Sequence, residues 1–225
     1  MKFVVAIDGT AASGKGTLGK KIANYFGFNY LDTGILYRII AYNFQSLSDF
    51  SKITKEEVMF SLKLLESKRF KDIDLRNDKI SLKASLISKN INVRNNLLDY
   101  QREFANQEGG TVLDGRDIGT VVCPDADVKI FVDAEIHIRA ERRFNQLYNQ
   151  LSPICNELSL RNISEDLNKR DKLDRNRKLS PMVAAKDAFI LDTTNLTIKE
   201  GTQQIISIIS KKLEKLHWIV IFILY

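Results

Sequence analysis

Cysteine and histidine are almost missing from this 225-residue chain, which has two of each. Cys123 and Cys155 show no CxxC spacing and no neighbouring histidine cluster. That argues against a zinc site and against a disulfide framework, and points to a reducing compartment, expected to be the cytoplasm. Long apolar runs are scarce as well. The opening MKFVVAIDGT passes from one lysine into a strand pattern, without the apolar stretch and cleavage site of a signal peptide. Only Trp218 to Tyr225 (WIVIFILY) is apolar throughout, and eight residues fall far short of the roughly 20 a membrane helix needs. Burial against the last helix is the expectation for that tail, and no membrane association is expected. The chain shows no internal repeat and no low-complexity linker.

What is present suits a globular protein with a substantial core: 44% hydrophobic and 28% charged residues. Thirty-four Lys and Arg against 28 Asp and Glu leave a formal charge of +6, which favours polyanionic partners such as nucleotides, nucleic acid or acidic lipid. The arginines lack the interleaved aromatics of single-strand stacking platforms, so nucleic acid is not the expected partner. A monomer acting on small molecules is.

The chain alternates apolar runs with helical periods. Phe3 to Ile7 is a β-branched run ended by Asp8-Gly9, as expected of a strand buried on both faces of a parallel sheet. Gly14 to Phe26 carries helical spacing through Leu18, Ile22 and Phe26. Further strands are read ending at Tyr30-Leu31, over Thr111 to Leu113, over Val128 to Val132 and over Phe189 to Leu191. Helices are read through Leu36, Ile39 and Ile40, over Lys55 to Leu65, and over Ile205 to Leu216. This predicts an α/β fold with a doubly wound, parallel, five-stranded sheet. Two segments break the rhythm. Around Arg76-Asn77-Asp78, the flanking IDL and ISL predict a small antiparallel hairpin over Asp72 to Lys83. Residues 144 to 180 are polar and basic, more like a mobile cover than a core element.

The sharpest motif is Gly9-Thr10-Ala11-Ala12-Ser13-Gly14-Lys15-Gly16-Thr17, between the first strand and the first helix. In that place GxxxxGK is a P-loop, whose backbone N–H groups wrap a phosphate while the helix N-terminus adds partial positive charge. Lys15 would reach the β- and γ-phosphates of a nucleoside triphosphate. A plain strand–turn–helix junction would need only the glycines. The usual Ser/Thr after the lysine is here Gly16, and the GKGT ending resembles nucleoside monophosphate kinases. Thr17 becomes the candidate hydroxyl near Mg²⁺, which phosphates and water would otherwise hold.

Three further segments offer groups for a second anion. Asp32-Thr33-Gly34-Ile35-Leu36-Tyr37-Arg38 places an arginine in the first turns of a helix, where its planar fork can meet a phosphate. Asp114-Gly115-Arg116-Asp117-Ile118-Gly119-Thr120 lies at the carboxyl end of a strand, where open α/β sheets bind ligands. Lys169 to Arg177 (KRDKLDRNR) is the densest charge run, and such runs ordinarily form a solvated helix face.

Taken together, IDGTAASGKGT, LDTGILYR, DGRDIGTVVCPDADVKIFVDA, RDKLDRNR and LDTT resemble the bacterial cytidylate kinases, in order and approximate spacing, over about residues 3 to 215. The resemblance implies one P-loop kinase domain. Its core would be 1–31, 101–144 and 179–217, with an acceptor-binding insertion over 32–100, a lid over 145–178 and the apolar tail 218–225. It implies direct transfer of the γ-phosphoryl of ATP·Mg²⁺ to CMP and dCMP, without a phospho-enzyme. Arg38, Arg116 and Arg177 would hold the CMP phosphate, since three cations from distant segments repel unless an anion sits between them. Tyr37 and Asp174 would contact the ribose, with Thr33 beside them. Ser85, Arg94 and Asp117 would read the cytosine, whose amino donor and adjacent acceptors suit a carboxylate, a guanidinium and a hydroxyl. Arg170 would lie near the transferred phosphoryl, and Arg142 and Arg143 would clamp ATP. The family commonly has glycine where this chain has Ala12. Alanine is small, so little effect is expected. A kinase for UMP, AMP or a shikimate-like acceptor is the alternative, against which Ser85, Arg94 and Asp117 argue.

Overall fold

In a computed structural model, the structure describes residues 2–47, 49–66, 75, 78–148 and 157–224. Five parallel strands form one sheet in the order β2-β3-β1-β4-β5: β1 (Val4–Gly9), β2 (Asn29–Asp32), β3 (Thr111–Asp114), β4 (Val128–Asp133) and β5 (Phe189–Asp192). β1 sits at the centre, with Val5 opposite Val112 on one side and Val128 on the other.

The period-two alternation of the strands sorts their side chains into two cores. Val5, Ile7, Val112, Ile130 and Val132 face α1 (Lys15–Phe26) and α8 (Ile198–Leu224), where Leu18, Ile22, Ile205 and Ile209 meet them. Ala6 and Leu113 face the opposite way. There α2 (Thr33–Asn43), α3 (Lys55–Glu66), α4 (Asp78–Ile87) and α5 (Ile91–Ala105) supply Leu36, Ile40, Val58, Ile87 and Leu97. A third, smaller cluster joins Ala11 to α6 (Ile136–Tyr148) and α7 (Glu157–Arg175) through Ala140 and Leu167.

The expected hairpin is not there. Residues 78–87 form α4, because Ile80, Ala84 and Ile87 recur every three to four residues and are buried together. A strand period of two would have split them between faces. The first expected arm, 72–74, lies outside the described residues. The last helix also differs from expectation. It starts at Ile198, where Thr197 and Glu200 form a reciprocal cap: the Glu200 N–H donates to Thr197 Oγ1 and the Thr197 N–H to Glu200 Oε2. It then runs through Leu224, so the apolar tail continues this helix rather than folding back on it. The side chains of the tail lie outside the described residues. Among the described residues no helix is long and apolar enough to cross a membrane.

Candidate active site

β1 and its neighbours β3 and β4 lead their chains in opposite directions beyond their carboxyl ends, and such a crevice is where open α/β sheets bind ligands. A cavity of about 670 Å³ opens there. Its floor is the P-loop. Gly9 enters it at φ +148°, where an added Cβ would stand 1.9 Å from the Val132 carbonyl oxygen, so only glycine lets β1 and β4 close at this point. Gly14, at φ +91°, precedes α1, and no side chain caps the helix. The first amides of α1 are left for a ligand. Ala12 holds φ +60°. This left-handed backbone is strained for alanine and free for glycine, so the size of the side chain was the wrong criterion at this position.

Lys15 lies folded across the loop, with its Nζ donating to the Thr10 carbonyl at 3.0 Å. Thr10 and Gly9 shape the loop from behind: Thr10 Oγ1 donates to Asp133 Oδ1 at 2.6 Å. Burial, and after it the Arg116 charge, lower the Lys15 ammonium to about 7. Asp114 is raised to about 6 by burial and then by Asp32. The Tyr30 hydroxyl donates to its carboxylate. Gly16 faces this pair, since a Cβ there would stand 3.4 Å from Asp114 Oδ2 and 3.5 Å from the Tyr30 oxygen. The place of the usual Ser/Thr is therefore already lined by a carboxylate and a phenol. Thr17 is exposed and lines the cavity. Among the described residues no group of three or more His, Cys, Asp or Glu is placed to hold a metal, so an ion here would draw mainly on phosphate oxygens, with the Thr17 hydroxyl as a hard donor.

Among the described residues, seven cations line the cavity (Lys15, Arg38, Arg116, Arg142, Arg143, Arg170, Arg177) against four carboxylates, Asp32, Asp114, Asp117 and Asp174. They come from α1, α2, α6, α7, the chain just after α7 and the chain after β3. Arg170 Nε and Arg177 Nη2 are buried with no hydrogen-bond partner among the described residues. Burial, and then the charges of Arg116 and Arg38, lower the Arg170 guanidinium to about 10. Buried, crowded donors of this kind fit an absent anion.

The charge run of α7 is only half solvated. Arg170, Asp171, Asp174 and Arg177 recur at helical spacing and turn inward, whereas Lys169, Lys172, Arg175 and Asn176 face solvent. The cover expected over 145–178 is thus built into the site along one face, as far as it is described. Asp174 accepts from Arg116 Nε, and Arg177 Nη1 donates to Ser88 Oγ at 3.0 Å.

The base-reading candidates also meet. Asp117 pairs with Arg94, whose Nη1 donates to the Ser88 carbonyl at 3.2 Å. Asp117 and Ser85 line the cavity, but Arg94 stands one layer behind, over the Tyr37 ring. Tyr37 lines the cavity, and burial pushes its phenol up to about 12. Thr33 is buried and donates to the Asp114 carbonyl at 2.7 Å, fastening α2 to β3. Arg142 is held on Thr193, donating to its Oγ1 and carbonyl, while Arg143 donates to Gln146.

Four contributors escaped the sequence reading. Ser88 receives two arginines. Thr193 receives Arg142 and donates to the Ser13 carbonyl. Arg139 and Asp171 form a buried pair at 2.5 Å that grips the backbone of Ala11 on both sides: Asp171 accepts its N–H and Arg139 donates to its carbonyl. The helical spacing inside KRDKLDRNR was the one local signal for Asp171; nothing local marks the others.

Comparison with known proteins follows the same outline. Residues 5–211 match the cytidylate kinase family. A cytidylate kinase of Afipia carboxidovorans is 42% identical over 211 residues, covering 93% of this chain and 98% of its own. One of Nitrobacter winogradskyi is 43% identical over 209 residues, covering 92% and 95%. A crystal structure of an uncharacterized protein from Eubacterium ventriosum superposes with a TM-score of 0.55 at 14% identity, covering 92% of this chain and 98% of that one, and speaks for the fold alone.

Proposed function

The chain belongs to the cytidylate kinase family, and we propose how its residues divide the transfer of a phosphoryl group from ATP to CMP. The supporting observation is the convergence of Arg38, Arg116, Arg170 and Arg177 opposite the uncapped start of α1. Two anions can meet there, a triphosphate on the P-loop and a monophosphate among the arginines.

The P-loop amides from Ala12 to Thr17 hold the β-phosphate, and Lys15 follows the γ-phosphate. Arg142, Arg143 and the Thr193 segment border the outer part of the triphosphate site. Arg38, Arg116 and Arg177 hold the CMP phosphate. One of its oxygens attacks the γ-phosphorus, the bond to the β,γ-bridging oxygen breaks, and ADP leaves with those electrons. The acceptor is already an anion, so no general base is needed, and catalysis rests on positioning and charge neutralisation. Arg170 and Lys15 face the transferred group. A Mg²⁺ ion carried by the triphosphate would supply charge neutralisation there, and the Thr17 hydroxyl would be the residue to hold it. Asp174 and Tyr37 border the ribose. Asp117, oriented by Arg94, accepts from the cytosine amino group beside Ser85. None of these contacts requires the 2′-hydroxyl alone, so dCMP is an acceptor too.

A coupled ADP-release assay over CMP, dCMP, UMP, AMP and GMP tests this division. CMP and dCMP should stand well above the others. Equal turnover of UMP and CMP would remove the case for Asp117 and Ser85 as readers of the base.

A further inference from the structure

Asp8 lies in β1 directly before the P-loop, and none of the roles above involves it. Its carboxylate is 4% exposed. Both oxygens are used across 110 residues of sequence: Oδ1 accepts the Ile118 N–H at 2.7 Å and Oδ2 the Gly119 N–H at 2.8 Å. Those two amides open the wide helical turn Ile118–Val122, which begins right after Asp117.

Asp117 occupies the capping position of that turn. An aspartate there ordinarily folds its carboxylate back onto the turn's second or third amide. Here it makes no such bond, and the carboxylate meets Arg94 and the cavity instead. Of the amides it would have taken, the second, Gly119, is already occupied by Asp8. The close approach depends on Gly119, where a Cβ would stand 3.4 Å from Asp8 Oδ2 and 3.3 Å from the Lys129 side chain.

We propose that Asp8 is a positioning residue for base recognition: by capping the 118–122 turn from the neighbouring strand, it keeps the Asp117 carboxylate turned toward the cytosine. This rests on the reading of Asp117 given above. Because Asp8 is covalently continuous with Gly9, the same strand end carries the phosphate loop and aims the acceptor's base reader.

The test is the near-isosteric Asp8→Asn, with Asp8→Glu beside it to keep the charge but displace the oxygens. One amide of the turn loses its acceptor in Asp8→Asn, and Asp117 can fold back onto it. The expected result is a fall of about tenfold in kcat/KM for CMP, the size of losing one buried hydrogen bond. The CMP/UMP preference should move toward that of Asp117→Ala, with KM for ATP within about threefold of wild type. In the Asp117→Ala background, Asp8→Asn should have no further effect on that preference, since acting through one residue makes the two changes non-additive. A purely structural Asp8 would lower stability and leave the preference untouched. If folded Asp8→Asn and Asp8→Glu keep the wild-type CMP/UMP preference while Asp117→Ala collapses it, the role of Asp8 is wrong and base reading stands. If Asp117→Ala itself keeps the preference, the underlying reading of Asp117 is what fails.

Discussion

Arg116 Nε donates to Asp174 Oδ2 at 2.9 Å, across 58 residues, and joins the end of β3 to the inward face of α7. Asp174 is nearly buried, and Arg116 stands among Arg38, Arg170 and Lys15. The pair stands on the side of the cavity proposed above to take the acceptor.

Removing the carboxylate should therefore cost more than one contact with substrate. In Asp174→Ala, Arg116 loses its counter-charge inside a cationic cavity, and breaking a buried pair typically costs about 3–5 kcal/mol; the partly open site places the effect at the low end. We expect Tm to fall by several degrees, kcat/KM for CMP to fall by about two decades, and added inorganic phosphate to restore more Tm in the variant than in wild type. Thermal scans with and without phosphate check this, and an unchanged Tm would show that the pair is incidental.

Lys15→Ala should fold and lose most of its turnover. In the proposed division the lysine neutralises charge that moves in the reaction, and one such donor contributes roughly 10²–10³ in kcat. Retention of more than about a tenth of wild-type kcat, with CMP and ATP saturating, would contradict its placement at the γ-phosphate.

Ala12→Gly should stabilise the protein. Alanine at φ +60° carries about 1–2 kcal/mol of strain, partly offset by the larger unfolded-state entropy of glycine, roughly 0.4–1 kcal/mol. A rise in Tm of about 1–4 °C follows, at roughly 2–4 °C per kcal/mol for a chain of this size. A lower Tm would mean that the loop relieves the strain by other means.

Discrimination between CMP and UMP should separate the base-reading and phosphate-holding residues. Uracil presents a carbonyl where cytosine presents an amino group, and an unsatisfied buried acceptor costs about 1–3 kcal/mol, more if charged. UMP should then be disfavoured by about two decades in kcat/KM. Asp117→Ala narrows that gap by weakening CMP, whereas Arg38→Ala weakens both acceptors alike. Steady-state kinetics on both acceptors in both variants decides it.

Stability of the ligand-free protein should decline from mildly acidic to neutral pH, in part because of Asp8. Burial raises its carboxyl from 3.8 to about 7, against the pull of the Ile118 and Gly119 amides, with the Asp117 charge raising it further and Lys15 opposing. Below about pH 4 the group is protonated in both folded and unfolded chains. Between about 4 and 7 only the folded chain keeps the proton, so each rise in pH favours unfolding. At 1.36 kcal/mol per pKa unit the contribution is on the order of 4 kcal/mol at most. Asp114 adds to the same trend up to about pH 6. The slope of Tm against pH from 5 to 7 should be shallower in Asp8→Asn, and an equal slope would mean that Asp8 is ionised throughout.

Much of this protein was legible in one dimension. The central strands β1, β3 and β4, buried on both faces, read as apolar runs, and all five strands were found within a residue or two. Gly9 and Gly14 announced the P-loop because a backbone at positive φ leaves its mark directly on residue type. Arg116 and Asp117 stood just past the carboxyl end of a strand, where topology alone directs attention, and Arg38 stood in the first turns of the helix that follows β2. The segment before α4 misled, since a turn-prone Arg76-Asn77-Asp78 between short apolar triplets serves a hairpin and a helix start equally well. Burial of Ile80, Ala84 and Ile87 against the α2–α5 cluster settled that choice.

What the tertiary structure decided was pairing. Whether a charged residue is buried depends on whether an opposite charge or an open amide arrives from another element to offset its desolvation. Asp171 turns inward because Arg139 and the Ala11 amide meet it, and Lys172 beside it stays in solvent. Ser88 matters because Arg94 and Arg177 converge on it from different elements. Asp8 looks like the end of a strand until the Ile118 and Gly119 amides, 110 residues away, close on its carboxylate. Such partners carry no local pattern, because nothing in a residue's own neighbourhood requires them until the sheet has brought β1 and β3 side by side.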